Sequence, residues 1–185
     1  MGNFIFNPTP LEGVYIIDVK VYGDRRGFFM ETYREDDFFA AGLRYRFVQD
    51  NQSLSARGTL RGLHFQKKHP QAKLVRVLSG EVFDVAVDLR KGSATYGQWT
   101  AAVLSGENRR MFMVPRGFAH GFLTLSEYAE FAYKCDDVYH PEDEGSIRWD
   151  DPDIAVAWPD AGDLILSDKD RSAPFFRQDP PEFDL

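Results

Sequence analysis

Over much of this chain apolar residues recur every second position, the period of strands. In residues 82–89, Phe83, Val85, Val87 and Leu89 alternate with Asp84, Ala86 and Asp88, as in a strand with one buried face. Residues 73–78 read as another strand, and the two runs flank Ser79-Gly80-Glu81. Residues 14–21 are apolar and β-branched, and Gly23-Asp24-Arg25-Arg26-Gly27 turns them into a return strand over 28–33. Strands are also predicted at 47–51, 99–104 and 111–114, with a hairpin of 122–125 and 129–134. One short helix is predicted at 35–41, acidic at its start and stopped by Gly42. Beyond Asp136 the chain is rich in loops and proline, including Pro180 and Pro181. Short strands with frequent turns and little helix predict an all-β sandwich or barrel. No repeat, linker or low-complexity tract interrupts residues 1–185, so a single domain is expected.

Composition narrows the function. The 185 residues suffice for a sizeable core, and a net charge of −7 argues against nucleic-acid binding. Basic residues gathered at one place would then mark a local anion. The single cysteine, Cys135, excludes an internal disulfide. No leader pattern and no long apolar run is visible, so a cytoplasmic protein with no membrane partner is expected.

Two histidine stretches carry the candidate chemistry: Arg61-Gly62-Leu63-His64-Phe65-Gln66 and Pro115-Arg116-Gly117-Phe118-Ala119-His120-Gly121. Local sequence leaves alternatives open. His64 between Leu63 and Phe65 also reads as a structural histidine. Tyr133 shares a strand face with Phe131 and Cys135 and also reads as a core tyrosine. Arg26 also reads as a surface charge, Lys73 as a solvent-facing residue, and Asp170 as a turn cap.

The Pro-x-Gly-x-x-His pattern of Pro115, Gly117 and His120 resembles the second element of the cupin jelly roll, a double-stranded β-helix barrel with a site inside. Metal-binding cupins carry two histidines one residue apart in the first element. Here His64 is followed by Phe65 and Gln66, and His69 lies next to Pro70, so no metal and no cofactor is expected.

Several separated motifs then agree. Gly23 to Glu31, Phe47-Val48-Gln49-Asp50-Asn51, Leu60 to Gln66, Ala72-Lys73-Leu74-Val75-Arg76, Gly80 to Asp88, Pro115 to Phe122 and Leu166-Ser167-Asp168-Lys169-Asp170 together resemble the dTDP-4-dehydrorhamnose 3,5-epimerase family, in order and over nearly the whole chain. The resemblance implies metal-free inversion of C3 and C5 of a dTDP-4-keto-6-deoxyhexose through an enolate. His64 matches the base, Asp170 its paired carboxylate, Tyr133 the acid on the opposite face and Lys73 the cation near the C4 oxygen. Arg26, Arg61 and Lys169 match pyrophosphate positions. Glu31, Gln49, Asn51, His120 and Glu144 match further substrate-binding positions, and Phe28 and Tyr139 are candidates to flank the thymine. The resemblance also implies a homodimer that exchanges N-terminal strands. Relatives that invert one carbon share these groups, so a single-position epimerase is the competing enzymatic reading. A non-catalytic cupin that binds a nucleotide sugar is the competing reading from another class.

Overall fold

The computed structural model describes residues 2–177 and Phe183; Pro180 and Pro181 lie outside these residues. Two antiparallel sheets face each other. The six-stranded sheet runs in the order β1 (Phe4–Pro8), β2 (Tyr15–Val19), β10 (Met111–Val114), β7 (Lys73–Ser79), β12 (Tyr128–Cys135) and β5 (Gln49–Ala56). The five-stranded sheet runs β13 (Glu144–Ser146), β6 (Leu60–Gln66), β11 (Phe118–Thr124), β8 (Glu81–Asp88) and β9 (Trp99–Ser105). A separate hairpin, β3 (Val21–Asp24) with β4 (Gly27–Met30), stands apart from both. The described residues also form two short α-helices, α1 (Glu35–Ala40) and α2 (Asp168–Arg171), and a 3-10 turn at Pro141–Asp143. This is the all-β sandwich that the strand spacing and turns predict, and the jelly roll that the resemblance to cupins implies. No helix among the described residues is long and apolar enough to cross a membrane.

Three apolar layers hold the sandwich. Val75, Val77, Phe112 and Phe131 of the first sheet meet Val82, Ala86, Leu104 and Phe122 of the second between the sheets. Outside the first sheet, Ile17, Leu74, Met111 and Met113 are covered by Phe4 and by Phe38 of α1. Outside the second, Leu63, Val85, Val87 and Leu89 are covered by Ile147 and Ile154 of the C-terminal chain. The predicted helix at 35–41 is therefore a lid on one sheet, anchored by fully buried Phe38.

The structure corrects several sequence expectations. Residues 82–89 do not have one buried face: Asp84 and Asp88 are both 0% exposed, because the C-terminal chain covers the face opposite the interior. Residues 14–21 divide into β2 and the start of β3. The strand predicted at 47–51 starts at Gln49 and continues to Ala56 through polar sequence. Ala119 to Gly121 belong to β11, and β1 lay in a stretch without a predicted element.

Candidate active site

The register of β6 against β11 places His64 opposite His120. A bulge follows immediately, between His120 and Phe122. Glycines permit the close approach. A Cβ on Gly62, which has φ +140°, would lie 2.6 Å from the Gly121 Cα. A Cβ on Gly121 would lie 2.7 Å from the Arg61 carbonyl oxygen. Any side chain at either position would force the strands apart beside the two histidines.

These strands open onto a cavity of 580 Å³ between the sheets. His64, Lys73, His120, Tyr133, Asp170 and Arg61 all line it, with Phe122 and Phe131 as apolar wall. Six predicted site residues from β6, β7, β11, β12 and α2 thus converge on one space. The mixture of apolar walls and few polar groups is that of a small-ligand site.

His64 and Asp170 form a pair. Asp170 Oδ1 lies 2.5 Å from His64 Nε2, and Asp170 is 3% exposed. Ser167, the N-cap of α2, donates its hydroxyl to Asp170 Oδ2 (2.7 Å) and accepts from the Asp170 N–H (3.1 Å). Burial works against the Asp170 carboxylate, but the hydrogen bonds from His64 and Ser167 outweigh it, and its pKa lies below the usual value. Asp170 therefore stays ionised, fixing the His64 tautomer and leaving Nδ1 as the nitrogen without a partner among the described residues.

Opposite stand a cation and a phenol. Burial pushes the half-buried Lys73 ammonium below its ordinary pKa, while the Glu144 and Asp84 carboxylates oppose that fall. Its Nζ lies 6.0 Å from the centre of the Tyr133 ring. Burial pushes the Tyr133 hydroxyl up to about 12, so it remains a proton donor at neutral pH. His120 has its own carboxylate: its Nε2 lies 2.8 Å from Asp84 Oδ1, and both residues are buried.

A second group, outside the cavity lining, starts at Lys169, the neighbour of Asp170. Lys169 pairs with Glu144 Oε1, and Tyr139 donates to Glu144 Oε2 (2.8 Å). Gln49 accepts from the Tyr139 N–H (2.9 Å) and donates to Asn51 (3.1 Å), tying β5 to this group. Gln49 and Asn51 do not line the cavity itself. Tyr139 is about half exposed, free to meet a flat ring.

Three predicted site residues are elsewhere. Arg26 sits at the β3–β4 turn, exposed and paired with Asp24 at 2.6 Å. Phe28 is exposed, with the Arg109 guanidinium 4.2 Å above its ring. Glu31 is bonded to Asn3 and Arg34. None of the three borders the cavity. Conversely, Asp84 and Ser167 were not singled out as site residues from the sequence. Ser167 was within reach as an N-cap before an Asp-Lys-Asp run; Asp84 carried no local signal. Among the described residues no three His, Cys, Asp or Glu side chains converge as a metal site would require.

Known proteins resemble this chain over most of its length. The family model for dTDP-4-dehydrorhamnose 3,5-epimerase matches residues 8–178. A protein of that name from Methanothermobacter thermautotrophicus is 57% identical over 182 residues, covering 97% of this chain and 98% of its own. The crystal structure of dTDP-6-deoxy-D-glucose-3,5-epimerase from Legionella pneumophila, in complex with dTDP-4-keto-L-rhamnose, superimposes with a TM-score of 0.94 at 49% identity, covering 98% of this chain and 100% of that one. A 3'-monoepimerase from Streptomyces bikiniensis in complex with dTDP-quinovose is also similar, with a TM-score of 0.86 at 34% identity, covering 92% of this chain and 87% of its own.

Proposed function

Because this chain belongs to the dTDP-4-dehydrorhamnose 3,5-epimerase family, we infer that its cavity is where the family's reaction takes place. The protein is an isomerase, inverting C3 and C5 of dTDP-4-dehydro-6-deoxy-D-glucose to give dTDP-4-dehydro-L-rhamnose. One observation carries the assignment of roles: a carboxylate-paired histidine and a phenol border one cavity, with a lysine beside them.

Both carbons flank the C4 carbonyl, so their protons are weakly acidic. His64 takes a proton at Nδ1; the C–H electron pair forms the carbon–carbon double bond of the enolate, and the π pair of the C4 carbonyl moves onto its oxygen. Asp170 stabilises the resulting imidazolium. Lys73, close to that oxygen, stabilises the enolate. Tyr133 delivers its phenolic proton to the opposite face, which inverts the carbon. Solvent then restores the phenol and removes the proton from His64. Arg61 and Lys169 bind the pyrophosphate, which on leaving solvent takes over Lys169 from Glu144. Gln49, Asn51 and Glu144 contact the rest of the nucleotide sugar, and Tyr139 stacks on the thymine. The similarity to a 3'-monoepimerase keeps single-carbon inversion as the second reading. Conversion of the substrate, followed by reduction to dTDP-L-rhamnose, separates the two: only double inversion gives that product.

The hairpin residues enter through a dimer. Each protomer, taken as one domain of the cytoplasm, lends its β3–β4 hairpin to the other. Tyr22, Phe28 and Phe29 are exposed on that hairpin, and β5 is an unpaired sheet edge carrying exposed Leu54. Arg26, Phe28 and Glu31 then complete the partner's site. Mixing an Arg26→Ala protein with a His64→Ala protein under subunit exchange should restore about a quarter of native turnover, because about half the dimers are mixed and one of their two sites is intact. Turnover no greater than the two separate proteins together would place the hairpin residues on their own barrel.

A further inference from the structure

We infer that Asp84 is a positioning residue for this reaction: it holds His120 by Nε2, leaving Nδ1 to meet the bound sugar, and it helps to keep Lys73 charged. The inference rests on the reading of the cavity given above. Among the described residues six aspartates are buried: Asp84, Asp88, Asp136, Asp143, Asp151 and Asp170. Four of them hold the backbone. Asp88 accepts from the Arg90 N–H, Asp136 from Ala72, Asp143 from Lys68 and His69, and Asp151 from Asp153, Ile154 and Phe176. The other two accept from no backbone N–H of another residue, and each is bonded to a histidine that lines the cavity.

Asp170 already has a place in the proton chemistry. Asp84 has the same form and no structural occupation. It is 0% exposed, its Oδ1 lies 2.8 Å from His120 Nε2, and its Oδ2 has no hydrogen-bond partner among the described residues. An orphaned oxygen on a buried carboxylate is costly to fold around, so structure alone does not account for the residue. Neutral hydrogen-bonding groups would serve the fold better.

The electrostatics give it a use. Burial raises the Asp84 carboxyl above its ordinary pKa, and His120 of β11 and Lys73 of β7 oppose that rise. Lys73 in turn faces Cys135 and Tyr133 of β12, Glu144 of β13, Lys169 of α2 and Asp84 of β8. Burial drives the Lys73 ammonium toward losing its proton, and the Asp84 and Glu144 carboxylates oppose this. An uncharged lysine would give the developing C4 oxyanion little. Glu144 is engaged by Lys169 and Tyr139. Asp84 is the carboxylate whose second oxygen is unengaged.

The test is Asp84→Asn, which keeps the shape and an acceptor for His120 but removes the charge. The native protein is assayed beside it for deuterium uptake at C3 and C5 of the keto sugar. In Asp84→Asn, kcat should fall roughly tenfold to a hundredfold, the range of a lost charged hydrogen bond. The alkaline limb of kcat/KM should move to lower pH, because Lys73 now loses its proton sooner. The melting temperature should be no lower than native. His120→Asn should lose a comparable factor, and the double variant no more than the worse single one. Native turnover and an unmoved alkaline limb in Asp84→Asn would overturn the inference. So would losses that multiply in the double variant while the melting temperature falls, because that is a structural group. Should Asp84→Asn fail to fold, native turnover in His120→Asn overturns it independently. Failure of the native protein to take up deuterium would instead count against the proposed function.

Discussion

His64→Ala should lose about a hundredfold to ten-thousandfold in turnover while still binding dTDP, since a positioned general base contributes about 10²–10⁴. The base is the only group in the account that touches both C–H bonds, so the loss should appear equally at C3 and C5. Binding should survive because the pyrophosphate and thymine contacts are assigned to other residues, Arg61, Lys169 and Tyr139. One side effect is structural. Removing the ring leaves Asp170, 3% exposed, without its Nε2 partner. A buried acceptor left unpaired costs about 1–3 kcal/mol. The Ser167 hydroxyl still holds the other oxygen, which limits the damage. His64→Gln, with an amide donor toward Asp170, serves as the control for stability. Turnover within a few fold of native in either variant would remove His64 from the mechanism.

Tyr133→Phe should separate two events that the native protein joins. Only the hydroxyl is lost. The ring keeps its place beside Phe131, 5.8 Å between centres, and below Lys73. His64 can still remove a proton and return a solvent-derived one to the same face. Inversion needs a donor on the other face, and the phenylalanine ring has no proton to give there. Formation of inverted product should fall by about 10²–10⁴, while deuterium uptake with retained configuration falls much less. The measurement is the ratio of uptake to inversion, followed by NMR. Equal loss of both would contradict a dedicated acid role and restore Tyr133 to the plain core position its strand face also allows.

Much of the framework was legible because it follows apolar alternation. β7, β8, β10 and β12 lie where their patterns predict. β5 is longer than predicted for a physical reason: its sequence Gln49–Ala56 is mostly polar, since one end borders the cavity and the sheet edge faces out. No apolar stripe marks such a strand. Asp84 was misplaced for a related reason. Alternation separates the two faces of a strand but does not say which faces a polar cavity. Val85 and Val87 point to the outer layer, and Asp84 and Ala86 to the interior. His64, Lys73, Tyr133 and Asp170 were legible through motif resemblance; their 69- and 106-residue separations from His64 to Tyr133 and Asp170 hide the convergence from any local pattern. Arg26, Phe28 and Glu31 were legible as residue types, but a single chain leaves them outside the cavity.

The most direct test of the central claim is deuterium incorporation. The native protein is incubated with dTDP-4-keto-6-deoxyglucose in deuterated water without added metal, and C3 and C5 are followed by NMR. The account predicts deuterium at both carbons, with reduction of the product giving dTDP-L-rhamnose. Deuterium at one carbon alone would establish single-position epimerisation instead, and no uptake at either carbon while dTDP remains bound would contradict the assigned chemistry.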